Sequence, residues 1–156
     1  MGGSRLDIID KKILRKLQKD GRISNVELAK SVGISPPPCL RRVRILTEKG
    51  YIKGYSAEVD AAKMGYDVHV FAMVTLKSQA QEDVDTFVSY IEKYPIVREA
   101  HLLTGDSDFM LRIVAKNWDA YQAFLTKDLL AMPNVTSVKS FLSLRKEKDL
   151  KGVPVE

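Results

Sequence analysis

Apolar residues in the first third of the chain recur at the spacing of amphipathic helices. The first stripe consists of Leu6, Ile9, Ile13, Leu14 and Leu17. Asp7 is placed to cap this helix and Gly21 is placed to end it. Ser24 and Glu27 then have the spacing of a capping box, in which each side chain accepts a hydrogen bond from the backbone of the other residue. This pattern predicts the start of a second helix.

A short turn and a run of prolines separate the second predicted helix from a third. The turn is Gly33-Ile34-Ser35, and Ser35 can cap a helix that runs to Lys49. Pro36-Pro37-Pro38 follows at once, and proline costs little in a first helical turn because amides there have no intrahelical acceptor. We therefore predict that the prolines open the third helix. Two helices joined by such a tight turn are typical of a helix-turn-helix.

The rest of the chain changes between the period of a strand and that of a helix. Strand alternation is seen at Val68, Val70, Ala72, Val74 and Leu76, and strands are also predicted at 97–104, 109–116 and 135–144. Helical spacing is seen at Val84, Phe87, Val88 and Ile91, and again at Trp118, Tyr121, Phe124, Leu125 and Leu129. The order β-α-β-β-α-β predicts a ferredoxin-like domain, in which both helices cover one face of a four-stranded antiparallel sheet.

The uncovered face of that sheet also carries apolar side chains. Its members are His69, Phe71, Met73 and Thr75 on the first strand, with Phe141 on the last. An open and partly apolar sheet face is suited to dimerisation or to ligand binding.

Charge divides the chain at the same place as the change of period. Residues 1–54 hold 13 Lys and Arg against 5 Asp and Glu, a net charge of +8, although the whole chain carries only +5. A basic unit joined to a near-neutral one indicates that the first unit binds a polyanion. The predicted fold class is α+β. Its predicted divisions are a helix-turn-helix domain at 5–54, a linker strand and short helical turn at 55–67, a ferredoxin-like domain at 68–147 and a tail at 148–156.

Composition narrows the functional classes further. The 156 residues contain no apolar run long enough to cross a bilayer and no apolar segment after Met1 that would act as a secretory signal. The one cysteine, Cys39, permits no intrachain disulfide, and two histidines add few metal ligands. No nucleophile-elbow or phosphate-loop pattern is present. We therefore expect a cytoplasmic protein that is not an enzyme and has no metal, no cofactor and no membrane partner.

The third predicted helix carries three arginines within four residues. We expect one arc of this helix to be buried, formed by Leu40, Val43, Leu46 and Thr47. Arg41 and Arg44 lie on the opposite arc, and Arg42 lies at its flank. Because guanidinium groups bind phosphate and guanine bidentately, this helix is predicted to recognise double-stranded DNA.

Two sets of residues together resemble one protein family. The first set is Leu6-Asp7…Asp10…Ile13-Leu14…Leu17, Asp20-Gly21-Arg22, Glu27-Leu28-Ala29, Val32-Gly33-Ile34-Ser35-Pro36, Cys39-Leu40…Arg42-Val43…Leu46 and Gly50-Tyr51-Ile52…Gly54-Tyr55. The second set is His101-Leu102-Leu103-Thr104-Gly105-Asp106-Ser107-Asp108-Phe109, which resembles a G-D-x-D hairpin. In this order and spacing they resemble the Lrp/AsnC family of leucine-responsive and asparagine-operon regulators, most closely its leucine-responsive branch.

The resemblance implies a winged-type helix-turn-helix domain followed by a domain that binds an effector and oligomerises. It implies a sequence-specific DNA-binding transcriptional regulator of amino-acid metabolism genes, built from homodimers that assemble into octamers. The expected DNA-contacting residues are Ser24, Asn25, Ser35, Pro36, Arg41, Arg42 and Arg44.

The same resemblance implies that a free amino acid, leucine or another, binds near the G-D-x-D turn. An amino acid needs an anion for its ammonium group, which Asp106 or Asp108 can supply, and donors for its carboxylate, which the amides around Gly105 can supply. The expected effector-binding residues are Gly105, Asp106, Ser107, Asp108, Thr136 and Ser140. Gly-Asp-Ser-Asp is also ordinary hairpin chemistry, so the residues alone leave both roles open.

Two other functions fit the same architecture. Sirohaem decarboxylases are similar in their two domains, and His69 and His101 could face a tetrapyrrole in such an enzyme. That reading does not require three arginines on the third helix. The other alternative is an amino-acid-binding oligomer that has no role in DNA binding.

Overall fold

The computed structural model describes residues 6–150 and 152–156, which form two compact units. The first unit combines Met1–Glu58 with Lys148–Glu156, and the second spans Val59–Glu147. The tail that the sequence sets apart at 148–156 therefore belongs to the helix-turn-helix unit. Arg5, at which that domain is expected to begin, and Lys151 within the tail lie outside the described residues.

Three helices form most of the first unit. They are α1 (Ile8–Lys19), α2 (Asn25–Val32) and α3 (Pro36–Glu48). The prolines do open α3, as predicted, with Ser35 at the N-cap position. α1 ends at Lys19, two residues before Gly21, and Asp20 is its C-cap. The buried residues of this unit are Ile13, Leu14, Leu28, Ala29, Val32, Cys39 and Leu46.

The segment that leaves the three helices has little regular structure. The linker strand predicted within 55–67 does not form, since residues 52–60 have no regular secondary structure. A 3-10 turn at Ala62–Met64 then ends at Gly65, which agrees with the predicted helical turn.

The second unit contains a four-stranded sheet and two helices. The strands are β1 (Val68–Leu76), β2 (Val97–Leu102), β3 (Phe109–Ala115) and β4 (Val135–Leu142). The helices are α4 (Gln81–Ile91) and α5 (Trp118–Phe124), and α5 continues into a π-helical turn at Leu125–Leu129. The strand order is β2-β3-β1-β4 and every neighbouring pair is antiparallel, as a ferredoxin-like βαββαβ domain requires. The strands after β1 are shorter than predicted by one to two residues.

One face of the sheet is the core of this unit. Alternate residues of β1 are buried together with Phe87 of α4 and Tyr121 of α5, and the rings of Phe87 and Phe109 lie 4.7 Å apart. The residues between them on β1 are only half-buried, and Phe141, opposite Phe71, is 55% exposed. The helices therefore cover one face and leave an open face of the composition that the sequence predicts.

Candidate functional site

The starts of α2 and α3 are held together by polar side chains. Ser24 and Glu27 form the predicted capping box, since the Glu27 amide donates to Ser24 Oγ and the Ser24 amide donates to Glu27 Oε2, each at 3.2 Å. Asn25 Nδ2 donates to the backbone oxygen of Pro36 at 2.8 Å. Ser24 and Asn25, both expected to contact DNA, therefore also fix the geometry of the helix-turn-helix.

Arg42 is half-buried and pairs with two carboxylates at the start of α1. Its Nη1 lies 2.6 Å from Asp7 Oδ2 and 2.7 Å from Asp10 Oδ1, so its guanidinium joins α3 to the start of α1. The hydrogen bond from the Asp10 amide and that from Arg42 lower the pKa of Asp7. Asp10 and Asp7 in turn raise the pKa of Arg42. Asp7 and Asp10 thus oppose the charge of Arg42 within the unit, and a contact of Arg42 with DNA stays a prediction.

The outward face of α3 differs from the predicted one by part of a turn. Cys39 and Leu46 are its buried residues, while Leu40 is 47% exposed and Thr47 is also exposed. Leu40 therefore does not belong to the buried arc. It is exposed like Arg41 and Arg44, and it lies four residues, or about one helical turn, before Arg44. Among the described residues no carboxylate forms an ion pair with either arginine.

The G-D-x-D segment connects β2 and β3. The Leu103 amide donates to the Asp108 backbone oxygen at 2.8 Å, and the Asp108 amide donates to Val74 O of β1 at 2.9 Å. Gly105 has φ +138, a region that side-chain-bearing residues rarely adopt, so glycine is required there. Gly105 and Asp106 are exposed and Ser107 is half-buried, so this end of the hairpin is open to a ligand.

Asp108 has a different environment from Asp106. It is only 5% exposed, and its Oδ2 accepts from the Leu76 amide at 2.7 Å. Its Oδ1 accepts from Gln79 Nε2 at 2.6 Å. Both carboxylate oxygens are thus engaged by donors of the protein itself, which is the expected arrangement for a buried charge. The sequence pattern does not single out Gln79, since its partner is 29 residues away.

The two candidate residues on β4 separate in space. Thr136 is exposed and adjoins Val135, which pairs with Leu76, the residue that donates to Asp108. Thr136 and the hairpin therefore lie at the same end of the sheet. Ser140 instead pairs with Ala72, and its hydroxyl is hydrogen-bonded to the hydroxyl of Tyr121. The structure thus gives Ser140 a place against α5 rather than at the hairpin.

The remaining polar groups do not form a metal centre within the described part of the chain. No group of three or more His, Cys, Asp or Glu side chains there is arranged to hold a metal ion. His101 lies on β2, 3.4 Å from Glu99 Oε2. Among those same residues, no helix combines the length and apolar character needed to span a membrane.

Similarity to known proteins covers both units. Residues 6–53 match a winged helix-turn-helix DNA-binding domain, and residues 69–153 match the Lrp/AsnC ligand binding domain. The leucine-responsive regulatory protein of Rhizobium meliloti is 51% identical over 144 residues, which are 92% of this chain and 92% of that protein. The transcriptional regulator AzlB of Bacillus subtilis is 39% identical over 99% of this chain and 98% of its own.

Solved structures agree with these matches. A transcriptional regulator from Neisseria meningitidis in complex with L-Met has a TM-score of 0.92 and 31% identity, covering 96% of this chain and 97% of that one. AsnC of E. coli has a TM-score of 0.86 and 27% identity, covering 96% and 98%. These relatives are transcriptional regulators, which favours that class over the tetrapyrrole enzyme. The resemblance read from the sequence is confirmed, and the chain belongs to the Lrp/AsnC family of transcriptional regulators.

Proposed function

We propose that this regulator acts in the cytoplasm on genes of amino-acid metabolism, binding double-stranded DNA through α3 and a free amino acid at the β2–β3 hairpin. The observation that supports this DNA interface is the difference in environment among three neighbouring arginines. Arg42 is neutralised by Asp7 and Asp10, whereas Arg41 and Arg44 are exposed and unopposed by a carboxylate within the described residues. Two free guanidinium groups on one helix face are suited to phosphates and to guanine.

Leu40 completes the base-reading surface of α3. It is 47% exposed and lies one helical turn before Arg44; Ile45, the other exposed apolar side chain of α3, is less exposed at 39%. In the major groove, apolar side chains contact the methyl group of thymine, while arginine binds the O6 and N7 atoms of guanine. The preferred operator therefore contains guanine and thymine at neighbouring positions of each half-site.

Phosphate contacts come from side chains and from the start of α2. The first turn of α3 consists of Pro36, Pro37 and Pro38, which have no backbone N–H to offer to a phosphate. Ser35 makes no side-chain capping bond there, which leaves its hydroxyl for the DNA backbone. The Glu27 amide is used by the capping box, so the amides of Asn25 and Val26, which have no intrahelical acceptor, suit a phosphate.

Substitution of Arg44 tests this interface. We expect Arg44→Ala to weaken binding to DNA fragments selected from the source genome by about tenfold to a hundredfold, the range of a lost bidentate base contact. Arg98→Ala removes the same charge from an exposed position in the second unit and is the matched control. If both variants bind the fragments as the wild type does, α3 is not the recognition helix.

For the effector, the geometry favours Asp106 over Asp108. The exposed carboxylate of Asp106 would receive the ammonium group, and the amides around Gly105 with the hydroxyls of Ser107 and Thr136 would receive the carboxylate. Asp108 would act indirectly, by holding Leu76 and Gln79. The L-Met complex of the Neisseria meningitidis relative supports an amino acid as the ligand. Titration calorimetry with L-Met, L-Leu and other amino acids tests the proposal.

Assembly through the open sheet face completes the proposal. Phe71 and Phe141 lie opposite each other on this face, beside the half-buried Met73. Apolar side chains of this size are stabilised when a second copy covers them. We infer a homodimer through this face. Four such dimers would form an octamer in which exposed hairpins meet.

A further inference from the structure

The residues after the sheet return to the helical unit and bind α1. The side-chain amide of Gln18 pairs with the backbone of Val153 in both directions, as Nε2 donates to Val153 O at 3.0 Å and Oε1 accepts from the Val153 amide at 2.7 Å. Val155 packs against the buried cluster that contains Ile13 and Leu14. We propose that residues 152–156 are a docking segment, and that the surface of α1 around Gln18 is its receptor.

Gln18 of the receptor surface binds the backbone of Val153 and not its side chain. A primary amide offers one donor and one acceptor in the geometry of a peptide group, so it pairs with an extended strand as a neighbouring strand would. Pro154 helps, because a residue that precedes proline is restricted to extended conformations. Val155 adds the apolar contact. The segment is thus preorganised for the bonds that it makes.

Gly152 restricts the sequence of a segment that can dock. Its φ is +73, and a Cβ atom at this position would lie 1.7 Å from Gln18 Oε1. Any side chain would therefore strain the backbone and displace the amide that binds Val153. The recognised chemistry is a glycine followed by an extended residue, a proline and an apolar residue.

Docking gives the DNA-binding unit a second attachment to the ligand-binding unit. The chain passes between the units once after Glu58 and again after Glu147. From Gln18, α1 leads to Asp7 and Asp10, which hold Arg42 of α3. A second attachment restricts the orientations open to α3, and a dimer that must fit two half-sites binds better when its helices are preorganised. This consequence rests on the proposed DNA function, whereas the docking itself does not.

Hydrogen exchange on the full-length protein tests the docking directly. In the wild type the Val153 amide should exchange at least about tenfold more slowly than in Gln18→Ala, which removes its acceptor, or in Gly152→Ala, whose added Cβ displaces that acceptor. Gly65→Ala is the matched control, since Gly65 has φ +76 in the second unit with no atom within 4 Å of the added Cβ. Equal exchange of Val153 in the wild type and in Gln18→Ala would overturn the docking proposal.

DNA affinity then tests the second attachment. We expect Gln18→Ala and Gly152→Ala to bind genomic fragments roughly threefold to thirtyfold more weakly than Gly65→Ala does, in line with the loss of a tether. If Val153 exchanges slowly in the wild type and fast in Gln18→Ala, but both proteins bind DNA with the same affinity, the tethering role is overturned. If neither the wild type nor any variant binds DNA, the proposed function fails while the exchange result still decides the docking.

Discussion

The side-chain amide of Gln79 donates a hydrogen bond of 2.6 Å to the carboxylate of Asp108. The other oxygen of this carboxylate accepts from the amide of Leu76, the last residue of β1. Because Gln79 belongs to the loop between β1 and α4, one buried aspartate joins the hairpin to two further segments. Asp106, two residues earlier in the chain, has no such role and is exposed.

This difference predicts opposite outcomes for two isosteric substitutions. Asp106→Asn should lower amino-acid affinity by roughly tenfold to a hundredfold, because a charge-assisted bond to ammonium becomes a neutral one. The thermal stability of the variant should match that of the wild type. Calorimetric titration with L-Met and L-Leu, together with a melting curve, measures both quantities.

Asp108→Asn should instead destabilise the second unit by ~1.5–3 kcal/mol, since an amide NH₂ group would then face a donor at Leu76 or Gln79. Gln79→Ala is the companion variant and should lose part of the same stability. A stable Asp108→Asn protein that has lost only its amino-acid affinity would show that Asp108 binds the ammonium group after all.

The two aspartates also show where sequence reasoning stops. The pattern Gly-Asp-Ser-Asp identifies the hairpin, and alternation locates its strands, because both depend on neighbours in the chain. Which aspartate turns inward depends on Leu76 and Gln79, about thirty residues away. A single sequence does not show which distant segments contact each other. It therefore could not distinguish the buried carboxylate of Asp108 from the exposed one of Asp106.

α3 shows the same limit on a smaller scale. The helix and its proline start follow from local rules, but the position of its buried arc does not. Cys39 rather than Leu40 packs inward, and Arg42 turns to α1 because two carboxylates lie there. A buried cysteine is ordinary, and its small apolar side chain is the signal that could have corrected the arc.

The ion pairs of Arg42 predict an acid dependence of folding. The pKa of Asp7 is lowered in the folded state from its ordinary value of 3.8, first by the Asp10 amide and next by Arg42. The ionised form therefore stabilises the fold at pH values above 3.8, and this contribution is lost as the pH falls through the lowered folded value. Thermal unfolding between pH 6 and pH 2.5, followed by helical circular dichroism, should show the loss.

Arg42→Ala supplies the comparison for this acid dependence. It should lower the thermal stability only slightly at neutral pH, because the pairs are partly exposed, and should flatten the acid response without removing it. Arg41→Ala leaves both carboxylates paired and should change neither quantity. A steep, wild-type acid response in Arg42→Ala would show that the ion pairs do not contribute.

Leu40 predicts a sensitivity of DNA binding to a single methyl group. Replacing the relevant thymine of a selected operator by deoxyuridine removes that methyl and should weaken wild-type binding by about fourfold, the value of one buried methyl. Leu40→Ala should bind the two operators equally, because the side chain that contacts the methyl is gone. A deoxyuridine scan that affects the wild type and Leu40→Ala alike would assign the thymine contact to another residue.

The open sheet face predicts that assembly does not need the helix-turn-helix unit. Phe141 is 55% exposed and lies opposite Phe71. A two-fold interface uses the same surface of both protomers, so it would bury this residue once in each protomer. A charge placed there must be desolvated without a partner, so Phe141→Glu should shift the full-length protein toward monomers in light scattering at micromolar concentration. Leu130→Glu places the same charge on an exposed leucine outside the sheet and should leave the mass unchanged. A fragment of residues 65–147 should remain at least dimeric, because all four strands that build the face belong to the second unit. A monomeric fragment, or a Phe141→Glu protein with the full wild-type mass, would place the interface elsewhere.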